Sequence, residues 1–242
     1  MVAPTEQQQQ AMDLFNGGGS LRIDAYAGTG KTSTLLLLAN STRRRGYYLA
    51  FNRAAVAKAT GEFPSTVKCK TTHSLPFRSI KSLYGYSDDK MTGKANANLI
   101  VDGLILPEYK AVSERISLTG RSYAAVLQTA MNHFLQSADD APGVKHFPRI
   151  GRLAALDHSE FVRFAAESLP DLVRLWEGMQ HADSTIPLGF DGYLKLWALG
   201  NPRIEADFIM LDEAQDSNPV FLKVLRQQSC QMVYVGDPYQ QI

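Results

Sequence analysis

Ala25-Tyr26-Ala27-Gly28-Thr29-Gly30-Lys31-Thr32 decides the fold of this 242-residue chain. An alternating stretch, Leu21 to Ala25, predicts a strand running into this small, glycine-bearing turn. Lys31-Thr32 then opens a strongly apolar helix through Leu35-Leu36-Leu37-Leu38-Ala39. Strand, tight loop and helix start together aim backbone N–H groups and the positive end of a helix dipole at one point, which suits a phosphate. In such a cradle Lys31 reaches the β- and γ-phosphates of a nucleotide and the Thr32 hydroxyl ligates Mg²⁺. Gly28 and Gly30 stand where the backbone must approach the phosphates. Ala25 takes the place of the first glycine of GxxxxGK[ST], so the strict pattern fails by one methyl group, which is acceptable if φ there stays below zero. An ordinary glycine turn before a helix would not need Lys-Thr at this place. The phosphate loop is therefore read over Ala25, Tyr26, Ala27, Gly28, Thr29, Gly30, Lys31 and Thr32.

Outward from this turn, Thr5 to Phe15 predicts a helix, closed by Asn16-Gly17-Gly18-Gly19-Ser20. The helix after the loop closes at Gly46. A strand (Tyr47 to Phe51), an alanine-rich helix (Asn52 to Thr60) and a short strand (Thr66 to Lys70) follow. Strand and helix alternate, which implies parallel strands with helical crossovers. From about Tyr86 to Pro187 the pattern is helical, as in Ala124 to Leu135 and Ser159 to Met179, and shows no clear strand. Strands return at Asp207 to Leu211 and Met232 to Val235, with a helix at Pro219 to Gln227 between them. The expected fold class is α/β: a RecA-like P-loop NTPase parallel sheet with an all-helical insertion. The nucleotide-binding domain is drawn over 1–86 and 187–242, and the insertion over 87–186.

Composition is that of a water-soluble globular protein, 45% hydrophobic and 20% charged. No apolar run approaches the ~18 to 20 residues of a membrane span, and the N-terminus lacks the layout of a signal peptide. No membrane association is expected, and the chain is placed inside the cell, in the cytoplasm or, in a eukaryote, the nucleus. Cys69 and Cys230 are far apart and form no CxxC, so they read as reduced, buried thiols. Five scattered histidines show no zinc-site spacing. Net charge is +1, but its distribution is uneven. Residues 41–81 hold five Arg and four Lys against one acid, while residues 201–242 hold three basic and six acidic residues. That asymmetry suggests an anion-binding face and a separate metal-binding edge. Arg43-Arg44-Arg45 equally suits a solvated helix C-terminus.

Met210-Leu211-Asp212-Glu213-Ala214-Gln215-Asp216 ends an apolar strand in two acids, at the sheet edge where α/β proteins bind ligands. Beside a phosphate loop, Asp212 would hold Mg²⁺ and Glu213 would orient and deprotonate the attacking water. Acids after a strand also serve as helix caps. Val233-Tyr234-Val235-Gly236-Asp237-Pro238-Tyr239-Gln240 delivers an amide, Gln240, to the same edge, suited to contact a γ-phosphate or the lytic water. Alone it would read as a surface turn.

These three blocks, in this order, resemble the superfamily 1 DNA helicases of the UvrD/Rep type. Thr5-Glu6-Gln7-Gln8-Gln9-Gln10 is similar to the family's Q motif, which implies that Gln8 reads the adenine edge; helix surface is the competing reading. Leu49-Ala50-Phe51-Asn52-Arg53-Ala54-Ala55 resembles motif Ia and Lys70-Thr71-Thr72-His73-Ser74 motif Ib. By that resemblance Phe51, Asn52, Arg53, Thr72 and His73 contact single-stranded DNA, with His73 alternatively a buried helix-start residue. Val67-Lys68-Cys69-Lys70-Thr71 and Tyr193-Leu194-Lys195-Leu196-Trp197 resemble the F-box DNA helicase branch, although no F-box-like segment precedes the motor, so a ubiquitin-ligase role does not carry over.

The resemblance implies an ATP- and Mg²⁺-dependent 3′-to-5′ helicase acting on single-stranded or partly duplex DNA, of which this is the N-terminal motor portion. A role in DNA replication or repair goes with it. A second RecA-like domain, carrying the arginines that complete the ATP site, is expected after Ile242. Without it the fragment should bind nucleotide weakly and hydrolyse it negligibly. Two competing readings stay open: a truncated, non-translocating DNA- or protein-binding module with a nucleotide site, and a small-molecule P-loop kinase. The last lacks a visible arginine-bearing lid.

Overall fold

The structure, a computed structural model, describes residues 3–26, 30–113 and 116–237. In chain order its elements begin with α1 (Glu6–Asn16), β1 (Leu21–Asp24), α2 (Lys31–Asn40), β2 (Gly46–Ala50), α3 (Arg53–Glu62) and β3 (Val67–Thr71). There follow α4 (Ser74–Tyr84), α5 (Asp88–Thr92), α6 (Ala97–Leu104), β4 (Tyr109–Ala111), β5 (Ser117–Thr119) and α7 (Gly120–Gln136). The series closes with α8 (His158–Gln180), α9 (Gly189–Leu199), β6 (Phe208–Leu211), α10 (Pro219–Arg226) and β7 (Gln231–Gly236). The chain divides into two compact units, Met1–Pro76 with Asn201–Ile242, and Phe77–Gly200. The sequence alone drew these lines at 86/87 and 186/187.

In the first unit five strands form one sheet in the order β1-β7-β6-β2-β3. All four pairings are parallel, so every strand delivers its C-terminal end to the same edge. β6 lies in the middle and all four of its residues are buried, as a parallel strand covered on both faces requires. Phe208 and Met210 face a core shared with Phe15 of α1, Leu35 and Leu38 of α2, and Tyr48 of β2. Ile209 and Leu211 alternate to the other face and are equally buried.

Gly46 stands directly opposite Phe208 in the β2–β6 register. A Cβ on Gly46 would lie 2.2 Å from the Phe208 ring, and that ring is itself held edge-on to Phe15 at 5.1 Å. Gly46→Ala is therefore expected to destabilise the unit by about 2 to 3 kcal/mol through overpacking, read as a lower denaturation midpoint with an unchanged slope.

Arg44 is not the solvated helix end of the sequence reading. α2 stops at Asn40, and the Arg44 guanidinium covers the Phe15 ring at 4.7 Å. It also donates to the Gln231 side chain at 2.8 Å and to the Phe15 carbonyl at 3.1 Å. One member of the basic block is thus a structural clasp between α1 and β7. Both cysteines are free thiols, half-buried rather than buried, and desolvation pushes each thiol up.

Among the described residues the second unit is helical except for one antiparallel ribbon, β4 with β5, which corrects the all-helical expectation. Each strand has only three residues, two of them exposed, too short for a period-2 pattern to stand out. The long helix α8 starts with a capping box, Asp157 with Glu160. Its core is aromatic, with Phe134 edge-on to Trp176 at 5.6 Å and Tyr123 edge-on to Phe164 at 6.2 Å. Two buried lysines tie loops to this core. Lys90 donates to the Ile186 carbonyl at 2.6 Å and to the Gly178 and Ser184 carbonyls. Lys195 donates to the Ser137 and Asp139 carbonyls.

Asp139 completes that second clasp. Its carboxylate accepts from Lys145 at 2.6 Å and from His146 Nε2 at 2.9 Å. Gly143 N–H donates to His146 Nδ1 at 2.9 Å, which places the imidazole proton on Nε2. Lys145, then His146, hold the Asp139 carboxyl down at about 2. A depressed folded value contributes stability that is complete above the unfolded value of ~3.9 and is lost as pH falls through about 2. Asp139→Asn should cost about 1 kcal/mol at pH 7, discounted for the solvent reaching the pair. The difference in melting temperature from the parent chain should close on acidification towards pH 2.

No helix among the described residues is long and apolar enough to cross a membrane.

Candidate functional site

At the C-terminal edge of the sheet, β1 ends beside β7, and the pairing continues one residue further through Ala25 N–H to the Gly236 carbonyl at 3.0 Å. Of the phosphate loop, Ala27, Gly28 and Thr29 lie outside the described residues. Tyr26 is exposed. Gly30 caps α2 in the left-handed region, φ 87°, a conformation glycine adopts without steric cost. Lys31 opens the helix and is buried, 9% exposed, and Thr32 beside it is half-buried.

Lys31 Nζ donates to Glu213 Oε2 at 2.6 Å, joining residues 182 positions apart in sequence. β6 ends at Leu211, so Asp212 and Glu213 emerge from the centre of the sheet. Glu213 takes a left-handed conformation, φ 50° and ψ 50°, a conformation that costs a residue with a Cβ and is concentrated at functional turns. The two carboxylates part there. Asp212 is buried, 6% exposed, and accepts from the Tyr48 hydroxyl at 2.7 Å. Glu213 is more open and meets Lys31.

Their acidities diverge accordingly. Burial raises the Asp212 carboxyl above its ordinary range, and the neighbouring Glu213 charge adds to the rise, against the lowering hydrogen bond from Tyr48. Burial also acts to raise Glu213, but hydrogen bonds from Gln215 and Lys31 outweigh it and hold the carboxyl low. One acid is thus a buried, under-compensated anion and the other a stabilised carboxylate.

Among the described residues no group of three or more His, Cys, Asp or Glu could hold a metal ion. Mg²⁺ binds through one or two carboxylates together with phosphate oxygens rather than in a protein cage. The donor set at this edge, one buried carboxylate and the Thr32 hydroxyl, fits a cation that arrives with a nucleotide.

Gln215 belongs to the acidic motif, but nothing in the sequence alone assigns it a role. Its Nε2 donates to Glu213 Oε2 at 2.9 Å and its Oε1 accepts from Asp237 N–H at 3.1 Å. It therefore bridges the ends of β6 and β7. A Cβ at Gly236 would sit 2.5 Å from that Oε1, so the bridge depends on glycine there. Gln240, expected near the γ-phosphate, lies outside the described residues.

Gln8 forms a capping box with Thr5 and donates through Nε2 to Thr34 Oγ1 at 3.3 Å, linking α1 to the first turn of α2. Each half of its amide retains one further hydrogen-bonding position.

The expected nucleic-acid residues follow β2 and β3 on the same edge. Phe51 is 61% exposed, and Arg53 is exposed as well. Asn52 caps α3, accepting from Ala55 N–H at 2.7 Å, which leaves its NH₂ for other partners. Thr72 is buried, its N–H bonded to the Ala50 carbonyl at 3.1 Å, and His73 beside it is half-buried. Along the edge, the described nucleotide candidates follow β1 and β6, and the nucleic-acid candidates follow β2 and β3.

A family profile described as an AAA domain matches residues 8–242. F-box DNA helicase 1 of Gallus gallus is 32% identical over 253 residues, covering 100% of this chain and 24% of that protein. F-box DNA helicase protein 1 of Schizosaccharomyces pombe (strain 972 / ATCC 24843) is 30% identical over 248 residues, covering 98% of this chain and 27% of that protein. The chain spans about a quarter of the length of these curated relatives.

Proposed function

We propose, because this chain belongs to the AAA domain family in its UvrD/Rep-like superfamily 1 helicase branch, that it is the N-terminal motor portion of an ATP-dependent DNA helicase. The reading rests on one observation above the others, the 2.6 Å pairing of Lys31 with Glu213. It brings the helix start after β1 and the acids after β6 to one point, where a nucleoside triphosphate would be gripped and cut. Lys31 binds the β- and γ-phosphates, Glu213 takes the proton of the attacking water, and Thr32 and Asp212 hold Mg²⁺. When bound, the cation neutralises developing charge on the phosphate oxygens. Gln8 reads adenine, and Gln240 contacts the γ-phosphate or the lytic water.

Single-stranded DNA crosses the edge after β2 and β3, held by phosphate neutralisation at Arg53 and by stacking on Phe51, at ~1 to 3 kcal/mol per base. Partly duplex DNA, 3′-to-5′ movement, action in the nucleus or cytoplasm and a second RecA-like domain from the longer protein belong to the same proposal. Arginines from that domain supply ~10³ to 10⁵ in rate in related sites. The 242 residues alone should therefore bind Mg-ATP weakly and hydrolyse it negligibly.

ATP hydrolysis with and without single-stranded DNA, and DNA binding with and without nucleotide, test the proposal. DNA-stimulated turnover in the longer protein, lost in Lys31→Ala, is the expected result. DNA binding indifferent to nucleotide and to Lys31→Ala, with no turnover, would favour a non-translocating binding module.

A further inference from the structure

Tyr48 has no part in the chemistry described so far, yet it is the side chain that grips the buried acid. We infer that Tyr48 is a positioning residue that fixes the Asp212 carboxylate in the orientation that receives a divalent cation. The inference rests on the proposed role of Asp212 and adds a residue to it.

The geometry is specific. Tyr48 is 1% exposed and sits on β2 opposite Met210 of β6. Its ring packs against Phe63 at 4.8 Å, which limits its freedom to swing. Strand side chains on one face recur every second residue, so Tyr48, Met210 and Asp212 share a face, and the hydroxyl reaches Asp212 Oδ2 at 2.7 Å. Glu213 N–H donates to the other oxygen, Oδ1, at 3.1 Å. A carboxylate offers about four acceptor positions. Two are spent here, one on each oxygen, so the group can neither rotate nor turn away, and two remain for a cation. Partners of this kind behind a metal ligand set its orientation.

The contact also has a position along the sheet. β6 leads into the nucleotide acids, and β2 runs two residues past Tyr48 before Phe51, Asn52 and Arg53. Tyr48 therefore stands where the two halves of the edge meet. A buried tyrosine needs some acceptor for its hydroxyl, so a purely structural role would also produce a hydrogen bond. Metal dependence separates the two roles.

Binding of a fluorescent ATP analogue to the 242-residue chain would be titrated with Mg²⁺ and repeated in EDTA, for the parent, Tyr48→Phe and Asp212→Asn. Tyr48→Phe should raise the Mg²⁺ concentration needed for half-maximal effect ~10-fold and leave binding in EDTA unchanged. Asp212→Asn should abolish the Mg²⁺ dependence. If Asp212→Asn loses the dependence while Tyr48→Phe matches the parent, the Tyr48 inference alone falls. If Asp212→Asn keeps the parent's dependence, the metal assignment falls, and the inference with it. Should Tyr48→Phe fail to fold by circular dichroism, 3-fluorotyrosine placed at position 48 keeps the hydroxyl. Its ¹⁹F resonance should move when Mg²⁺ is added at fixed nucleotide, and an unmoved resonance overturns the proposal.

Discussion

Lys31→Ala is expected to weaken nucleotide binding by at least ~10- to 100-fold, the worth of one charge-assisted hydrogen bond to phosphate. In the longer motor it should cut turnover by a further ~10² to 10³, since the same ammonium faces charge that grows in the transition state. The effect has a physical origin visible without nucleotide. Lys31 is buried, and Glu213 Oε2, 2.6 Å from Nζ, is its partner. The side chain is thus already desolvated and held at the acids that follow β6. Titration of a fluorescent ATP analogue into parent and variant reads the result directly. Equal affinities would remove Lys31 from the site.

Glu213→Gln is expected to act with opposite signs on binding and hydrolysis. Losing the general base should lower turnover in the longer motor ~10²- to 10⁴-fold. Nucleotide binding to this chain should tighten several-fold. The carboxylate that now holds Lys31 competes with phosphate for the ammonium, and an amide competes far less. The Gln215 contact at 2.9 Å can survive the change, since Gln215 Nε2 can donate to the oxygen of the new amide. Weaker binding alongside lost hydrolysis would mean that Glu213 supports the fold of the loop rather than competing for the lysine.

Much of this arrangement was legible in the sequence, for identifiable reasons. Phe208–Leu211 is apolar throughout because it is buried on both faces, and that pattern marks a central parallel strand. Gly30 before Lys31-Thr32 marks a tight turn into a helix, and the helix begins there, with Gly30 at φ 87°. Less legible were contacts whose two halves lie far apart. Tyr48 reads as an ordinary strand aromatic until β2 is laid beside β6 and its hydroxyl meets Asp212. Arg44 reads as part of a basic run, because its pairing with Phe15 and Gln231 spans 29 and 187 positions. The ribbon of β4 and β5 escaped because three-residue strands carry too little pattern. Local propensity shows in a window of residues, whereas tertiary pairing does not.

The edge of the sheet also explains why two chemistries are expected from one surface. Parallel strands bring their C-terminal ends to the same side, and the order β1-β7-β6-β2-β3 leaves only β7 between the strand that enters the phosphate loop and the strand that ends in the acids. Asn52 and Thr72 are then offset to one flank. Nucleotide and nucleic acid would lie side by side rather than compete.

The most direct measurement is a crystal structure of the chain with Mg²⁺ and a non-hydrolysable ATP analogue. Lys31 Nζ should have left Glu213 for the β- and γ-phosphates, with the cation between Thr32 and Asp212. A triphosphate bound elsewhere, with the lysine still seated on Glu213, would contradict the account.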